Sequence, residues 1–272
     1  MPRLKKMTGA MLAAMNGYLM LVDDLPDVID GYALAGCLVD IRKSITIKNS
    51  HFAGTCGVVE RVKFVNCVIG DCNCTDFFDC VFVDCDLSKA NLNHSDLFNC
   101  KFTRCDFGKL RLLWNEIENC TMRACKAKKV TGDCYSTISG QCVKFFDKAV
   151  PMACPRKGSY IAYKKAYTDR YSACDYLITR LSEVIVTLEI PKTAKRSSAF
   201  GLKCRASEAK VLKIEDCDGN ELKKAYSIFK SSFVYRVGKT VTVKDFDTDR
   251  FNECAAGIHH FMKREDAEAY NG

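Results

Sequence analysis

From Thr75 onward a large apolar side chain recurs at every fifth residue: Phe77, Phe82, Leu87, Leu92, Leu97, Phe102, Phe107, Leu112, Ile117 and Met122. Two places before most of these stands a smaller residue, among them Thr75, Cys80, Cys85, Ala90, Ser95, Cys100 and Cys105. A helix repeats every 3.6 residues and a strand every two, so neither generates this pattern. Two inward positions per five residues predict a chain that turns a corner after each short side.

If four sides close one coil, composition repeats every twenty residues, and it does. Phe78-Asp79-Cys80-Val81-Phe82, Phe98-Asn99-Cys100-Lys101-Phe102 and Glu118-Asn119-Cys120-Thr121-Met122 are successive copies of one side. Thr75, Ser95 and Asn115 form one column of small positions, and Ala90 and Leu110 another. Upstream, Val65 to Cys72 reads like Phe78 to Cys85 displaced by 13 residues, which places a frame slip near Asn73-Cys74. Weaker units reach back through Phe64, Val59, Phe52 and Ile47. The expected solenoid covers residues 40–127 in roughly four coils, with 1–39 as an N-terminal cap and 128–155 as connector and C-terminal cap. Caps are required because an open solenoid end exposes unpaired backbone.

Ala90-Asn91-Leu92, Ser95-Asp96-Leu97 and Cys105-Asp106-Phe107 resemble the pentapeptide-repeat family most clearly. The resemblance implies a right-handed quadrilateral β-helix, whose core would include Phe77, Cys80, Phe82, Cys85, Leu87, Leu92, Leu97, Cys100, Phe102, Cys105 and Phe107.

The chain has 18 Cys in 272 residues. Eight of them, Cys67, Cys72, Cys80, Cys85, Cys100, Cys105, Cys120 and Cys125, are assigned to the small inward position, where a thiol acts as a compact hydrophobe. Parallel stacked side chains have the wrong torsion for a disulfide, so buried, reduced thiols are expected. Cys72-x-Cys74 lacks a second ligand pair, so no metal is expected. His51 and His94 read as solvent-facing residues at corners.

Beyond Gly158 the text changes to period-two runs at 160–163, 184–190, 209–214 and 233–243. These predict a small α+β domain over 156–272, with helices at 169–182 and 263–270. The strings Gly158 to Lys165, Ile190 to Ser198, Lys203 to Ala206 and Glu253 to Phe261 resemble a domain of unknown function found behind pentapeptide repeats in phage and large DNA virus proteins. His260 stands where a second aromatic residue is expected.

Net charge is +8. The excess lies in residues 126–272, mixed with acids, so nucleic-acid binding is not expected. Met1 to Val22 begins basic and continues apolar, but no small-x-small cleavage site follows. No run reaches the length of a membrane span. A cytoplasmic protein is expected, in the host cytoplasm if viral.

Lys203-Cys204-Arg205 sets two cations beside a thiol, and Cys254 and His259 lie near enough in sequence to pair across a turn. The alternative is that both thiols are buried. No Walker loop, dinucleotide fingerprint or Ser-His-Asp order is present, and no cofactor is expected. The leading expectation is a non-enzymatic viral accessory protein, acting as a protein-interaction scaffold or inhibitor of a host factor. Its partner would be a host or viral protein, and the solenoid end would allow a homodimer. Some pentapeptide-repeat proteins mimic duplex DNA against type II topoisomerases, which requires an acidic prism; residues 45–125 carry nearly balanced charge. The alternative is a nucleotide-binding or ADP-ribosyltransferase-like C-terminal domain, from Gly257-Ile258-His259-His260-Phe261, although only two residues follow Tyr270, too few for a later strand bearing the usual Glu. Lys164, Lys203, Arg205 and His259 are the candidate ligand-binding residues, their cations suited to a nucleotide phosphate.

Overall fold

The computed structural model describes residues 26–133, 135–168, 183–230 and 232–271. It divides into two units, Met1–Pro151 and Met152–Gly272. The expected N-terminal cap falls largely, and the helix at 169–182 wholly, outside the described residues.

In the first unit short strands stack in parallel. One wall consists of Val28–Asp30, Thr46–Lys48, Lys63–Val65, Val81–Val83, Lys101–Thr103 and Thr121–Arg123. A second runs from Ala33–Ile41 through His51–Glu60, Thr75–Phe78, Leu97–Phe98 and Glu116–Glu118 to Thr137–Ser139. Bridges through Val68, Asp86, Asp106 and Lys126 mark a third wall. The fourth pairs Asp71 with Asn91 and Lys109–Leu112 with Lys129–Gly132. Four walls stacked this way are a β-solenoid of about six coils.

The corners explain the composition. Asn49, Asn66, Asp84, Arg104 and Ala124 form one column with φ between 49° and 55°, and Arg61, Asp79, Asn99 and Asn119 another with φ between 53° and 58°. This left-handed region is one that Asn and Asp tolerate better than most residues. Inside, Phe64, Phe82 and Phe102 stack with centroids 4.8 and 4.6 Å apart.

Pairing extends past both expected limits, from Val28 to Ser139. The outer coils do not keep the five-residue period, so the sequence pattern does not mark them. Successive register offsets on the first wall are 18, 17 and 18 residues before settling at 20. His51–Glu60 runs unbroken across what is later a corner, pairing with both Val68–Ile69 and Thr75–Phe78. Downstream, Val130 and Ile138 continue the inward columns beneath Leu110 and Ile117.

The displacement of 13 residues is also corrected: Val65 pairs with Val83, an offset of 18. Ile69 N–H donates to Asp86 O and Cys72 N–H to Asn91 O. The coil therefore passes from Ile69 to Cys72 in three residues where the next takes five, from Leu87 to Leu92. The slip lies at Gly70, not at Asn73-Cys74. A Cβ on Gly70 would stand 2.7 Å from that of Ala53, so only glycine fits the shortened corner. Cys72 consequently sits in the Leu92 column rather than at a small position. Cys67 heads the column of Cys85, Cys105 and Cys125.

The helix Val143–Ala149 follows the last coil. Its Phe146 is buried and Phe145 lies 5.6 Å from the Phe107 ring, so this helix, and not the whole of 128–155, covers the end.

In the second unit six antiparallel strands lie in the order Val234–Arg236, Lys224–Tyr226, Tyr160–Tyr167, Glu183–Ile190, Glu208–Asp216, Thr240–Thr242. The run at 233–243 is not one strand. Gly238, at φ 79°, breaks it into the two opposite edges of the sheet. Four Cα steps reach at most about 14 Å, whereas five strand spacings of a flat sheet measure about 24 Å. The sheet must therefore curl until its edges approach. Ala162, Ala166, Val184, Val186, Leu188, Ile214 and Tyr235 fill the inside of the curl. A smaller sheet of Arg196–Ser197, Cys204–Ala206 and Ile258–His260 adjoins it through the Tyr163–Phe261 bridge. The terminal helix is confined to Arg264–Glu268 and packs Ala267 with Ile185 and Phe261.

Candidate functional site

Inward-facing positions on Tyr160–Tyr167 alternate as Ala162, Lys164, Ala166, so Lys164 occupies a core position opposite Val186. It is buried, and its ammonium lies 6.0 Å from the centroid of the Tyr235 ring. Among the described residues no carboxylate or hydrogen-bond acceptor meets it. The next residue, Lys165, is equally buried on the other face but is paired with Glu183 at 3.1 Å. Burial, and then the charge of Lys203, bring Lys164 down to about 8.

Lys164 faces a cavity of about 740 Å³, a size that suits a small organic ligand. Lys203, His259, Lys230 and Lys244 also line it, with Phe233 and Tyr235 as apolar wall. Asp245 is an acid in that lining. His259 Nε2–H donates to Glu253 O at 3.1 Å, and burial, followed by the Lys164 charge, holds the imidazole down to about 4. The neutral ring thus adds a polar surface rather than a charge.

Of the four residues singled out in the sequence, Lys164, Lys203 and His259 come together at this cavity, and Arg205 does not line it. Arg205 pairs with His259 across the small sheet but is 2% exposed. Its guanidinium donates to Asp247 O, Ala256 O and Ser197 Oγ at 3.0 to 3.1 Å and to Asp249 O at 2.6 Å. The three carbonyl acceptors, Asp247, Asp249 and Ala256, belong to the loop 247–257, whose Cys254, Ala255, Ala256 and Gly257 form one wall of the cavity. Arg205 therefore builds the wall from behind.

The thiols are also separated. Cys204 is buried and turned away from Lys203 and Arg205, and its neighbour Cys154, then burial, raise its pKa. Lys203 Nζ instead approaches the exposed Cys254 Sγ at 3.6 Å. His259 donates to backbone and is not hydrogen-bonded to Cys254 in the described residues. His260 fills the position where an aromatic was expected. It is fully buried, with Nδ1–H donating to Ile258 O at 2.9 Å and Nε2 accepting from Tyr160 Oη at 3.0 Å. No group of three or more metal-ligating side chains occurs among the described residues.

Sequence reasoning missed Tyr235, Lys230 and Lys244. Each sits in an ordinary strand or loop context, and only the curl of the sheet brings it near Lys164. On the solenoid it missed a ladder outside one corner. His94 stacks over Trp114 at 6.4 Å and Trp114 over Tyr135 at 4.1 Å; the latter two are 55% and 60% exposed.

The fold and site define a repeat solenoid joined to a ligand-sized cavity domain. Residues 71–109 match the model of pentapeptide repeats, in 8 copies, and residues 150–267 match a family of unknown function, DUF5758. No curated protein and no solved structure matches the chain. No helix among the described residues is long and apolar enough to cross a membrane.

Proposed function

We propose that this is a binding protein, in which the solenoid is a rigid scaffold for a protein partner and the C-terminal domain receives an anionic small molecule such as a nucleotide phosphate. The ammonium of Lys164, which meets no acceptor among the described residues and is buried beside Lys203 at the cavity, carries the second half of this reading. Burying a charge without a counter-ion is costly, and an anion supplied by the ligand removes that cost. The exposed Trp114–Tyr135 stack supports the first half, because aromatic residues are enriched at protein interfaces. Near-neutral charge over residues 45–125 favours protein docking over duplex mimicry.

The resemblance to viral proteins extends the proposal to an accessory role, with a host or viral protein as partner and inhibition as one mode of action. Thermal-shift and calorimetric titration of the full chain with nucleotides, NAD and inorganic phosphate test the ligand site. Stabilisation that is lost in Lys203→Glu is expected. Absence of a shift with every anion would remove the reading.

A further inference from the structure

Lys164 is poorly placed if its only task is to supply positive charge. Lys203, Lys230 and Lys244 at the same cavity do that with less desolvation. It is equally unlike a structural buried lysine, since Lys165 shows what that requires, a carboxylate at 3.1 Å. What remains is a primary amine in a largely apolar recess, between Ala162 and Ala166 and near the Tyr235 ring, with a second cation close by. That environment favours the neutral, nucleophilic amine.

We propose that Lys164 is a covalent site, forming an imine with the carbonyl carbon of an anionic aldehyde or ketone whose phosphate or carboxylate is held by Lys203. The proposal rests on the reading of the cavity as an anion site and narrows its ligand class. In the step, the Nζ lone pair adds to the carbonyl carbon while the C=O π electrons move to oxygen, which takes a proton. That hydroxyl takes a second proton from solvent and leaves as water, and the remaining N–H proton is returned to solvent, leaving C=N. The balance is amine plus carbonyl giving imine plus water, with no oxidant or reductant.

An amine brought from 10.5 to about 8 has a neutral fraction near pH 7 roughly 300-fold larger than an ordinary lysine. Tyr235, fully buried, stays a neutral phenol because burial pushes it up, and His259 is neutral as well. Of the cations lining the cavity, Lys203 is the one whose charge bears on Lys164, and the ligand's anion faces Lys203.

The test treats the full-length protein with pyridoxal 5′-phosphate and cyanoborohydride at neutral pH, then maps modified lysines by mass spectrometry. The expected result is an adduct at Lys164 exceeding that at any exposed lysine by about tenfold or more. Inorganic phosphate and Lys203→Glu should suppress it, and pyridoxal without its phosphate should label it weakly. Lys164→Arg, which keeps the charge, should lose the adduct. Adducts distributed over exposed lysines without preference for Lys164 overturn the proposal. So does saturable stabilisation by the probe with no trapped adduct, and in that case the anion reading stands. Neither stabilisation nor adduct removes both.

Discussion

Arg205 and Gly257 occupy adjoining space so closely that a Cβ on Gly257 would lie 3.0 Å from the Cβ of Arg205. The glycine lets the arginine side chain pass beneath the loop to reach its four acceptors. Arg205→Met should destabilise the C-terminal domain by about 3 kcal/mol, since three part-buried carbonyls and the Ser197 hydroxyl lose their donor at once. Gly257→Ala should cost about 1 kcal/mol through forced displacement of the neighbour. Urea denaturation of the full chain measures both, and a neutral Arg205→Met would show that the loop is held some other way.

Lys164 imposes a pH dependence. Its pKa is lower in the folded state than in the unfolded chain, falling from 10.5 to about 8. The unfolded state therefore binds more protons between these values, and stability rises with pH across that window. Below about 8 the full penalty of the buried charge is present. Lys164→Met should stabilise the ligand-free domain at pH 7 by about 3 kcal/mol and flatten the rise between pH 8 and 10.5. Differential melting of the two proteins across pH isolates this group; parallel curves would contradict it.

In the solenoid, Leu97 and Asp96 point to opposite sides of one wall. Leu97 is buried, while the Asp96 carboxylate accepts from Glu116 N–H at 2.7 Å in the next coil. Leu97→Asp should unfold the repeat unit, because an unpaired buried carboxylate costs several kcal/mol. Asp96→Ala should lose about 1 kcal/mol, one exposed hydrogen bond to a charged acceptor. Circular dichroism melts distinguish the two, and equal losses would refute the inward and outward assignment.

The stacked thiols provide a labelling contrast. Cys80, Cys85, Cys100 and Cys105 are buried free thiols, whereas Cys56, Cys74, Cys217 and Cys254 are exposed. Burial, and then the thiols of Cys120 and Cys80, raise the pKa of Cys100, which suppresses the reactive thiolate. Native alkylation should modify the exposed set quickly and spare the stacked set until denaturant is added. Early labelling at Cys100 would require a different register.

The repeat core was legible in the sequence because each coil solves the same local problem. A corner every five residues admits one large and one small inward side chain, so Phe77, Phe82 and Leu97 reveal their position by spacing alone. Asn and Asp at the left-handed corners add a second local mark. The shortened coils were misread because their register is fixed by the neighbouring coil: deletion at Gly70 keeps Val65 over Val83 while breaking the period that would have announced it.

The C-terminal site lies at the other extreme. Lys164, Lys203 and His259 could be recognised one by one as residues the repeat did not explain, but their convergence depends on pairings between residues 52 to 98 positions apart. Such pairings leave no periodic trace. Arg205 and Lys203 look alike in the sequence, as two cations beside Cys204. The tertiary structure alone turns Arg205 into the buried support of a loop and leaves Lys203 at the cavity. It also makes Lys164 an inward charge with no partner among the described residues and Lys165 one paired with Glu183, because adjacent residues on a strand face opposite sides of the sheet, and the curl of that sheet encloses only one of them.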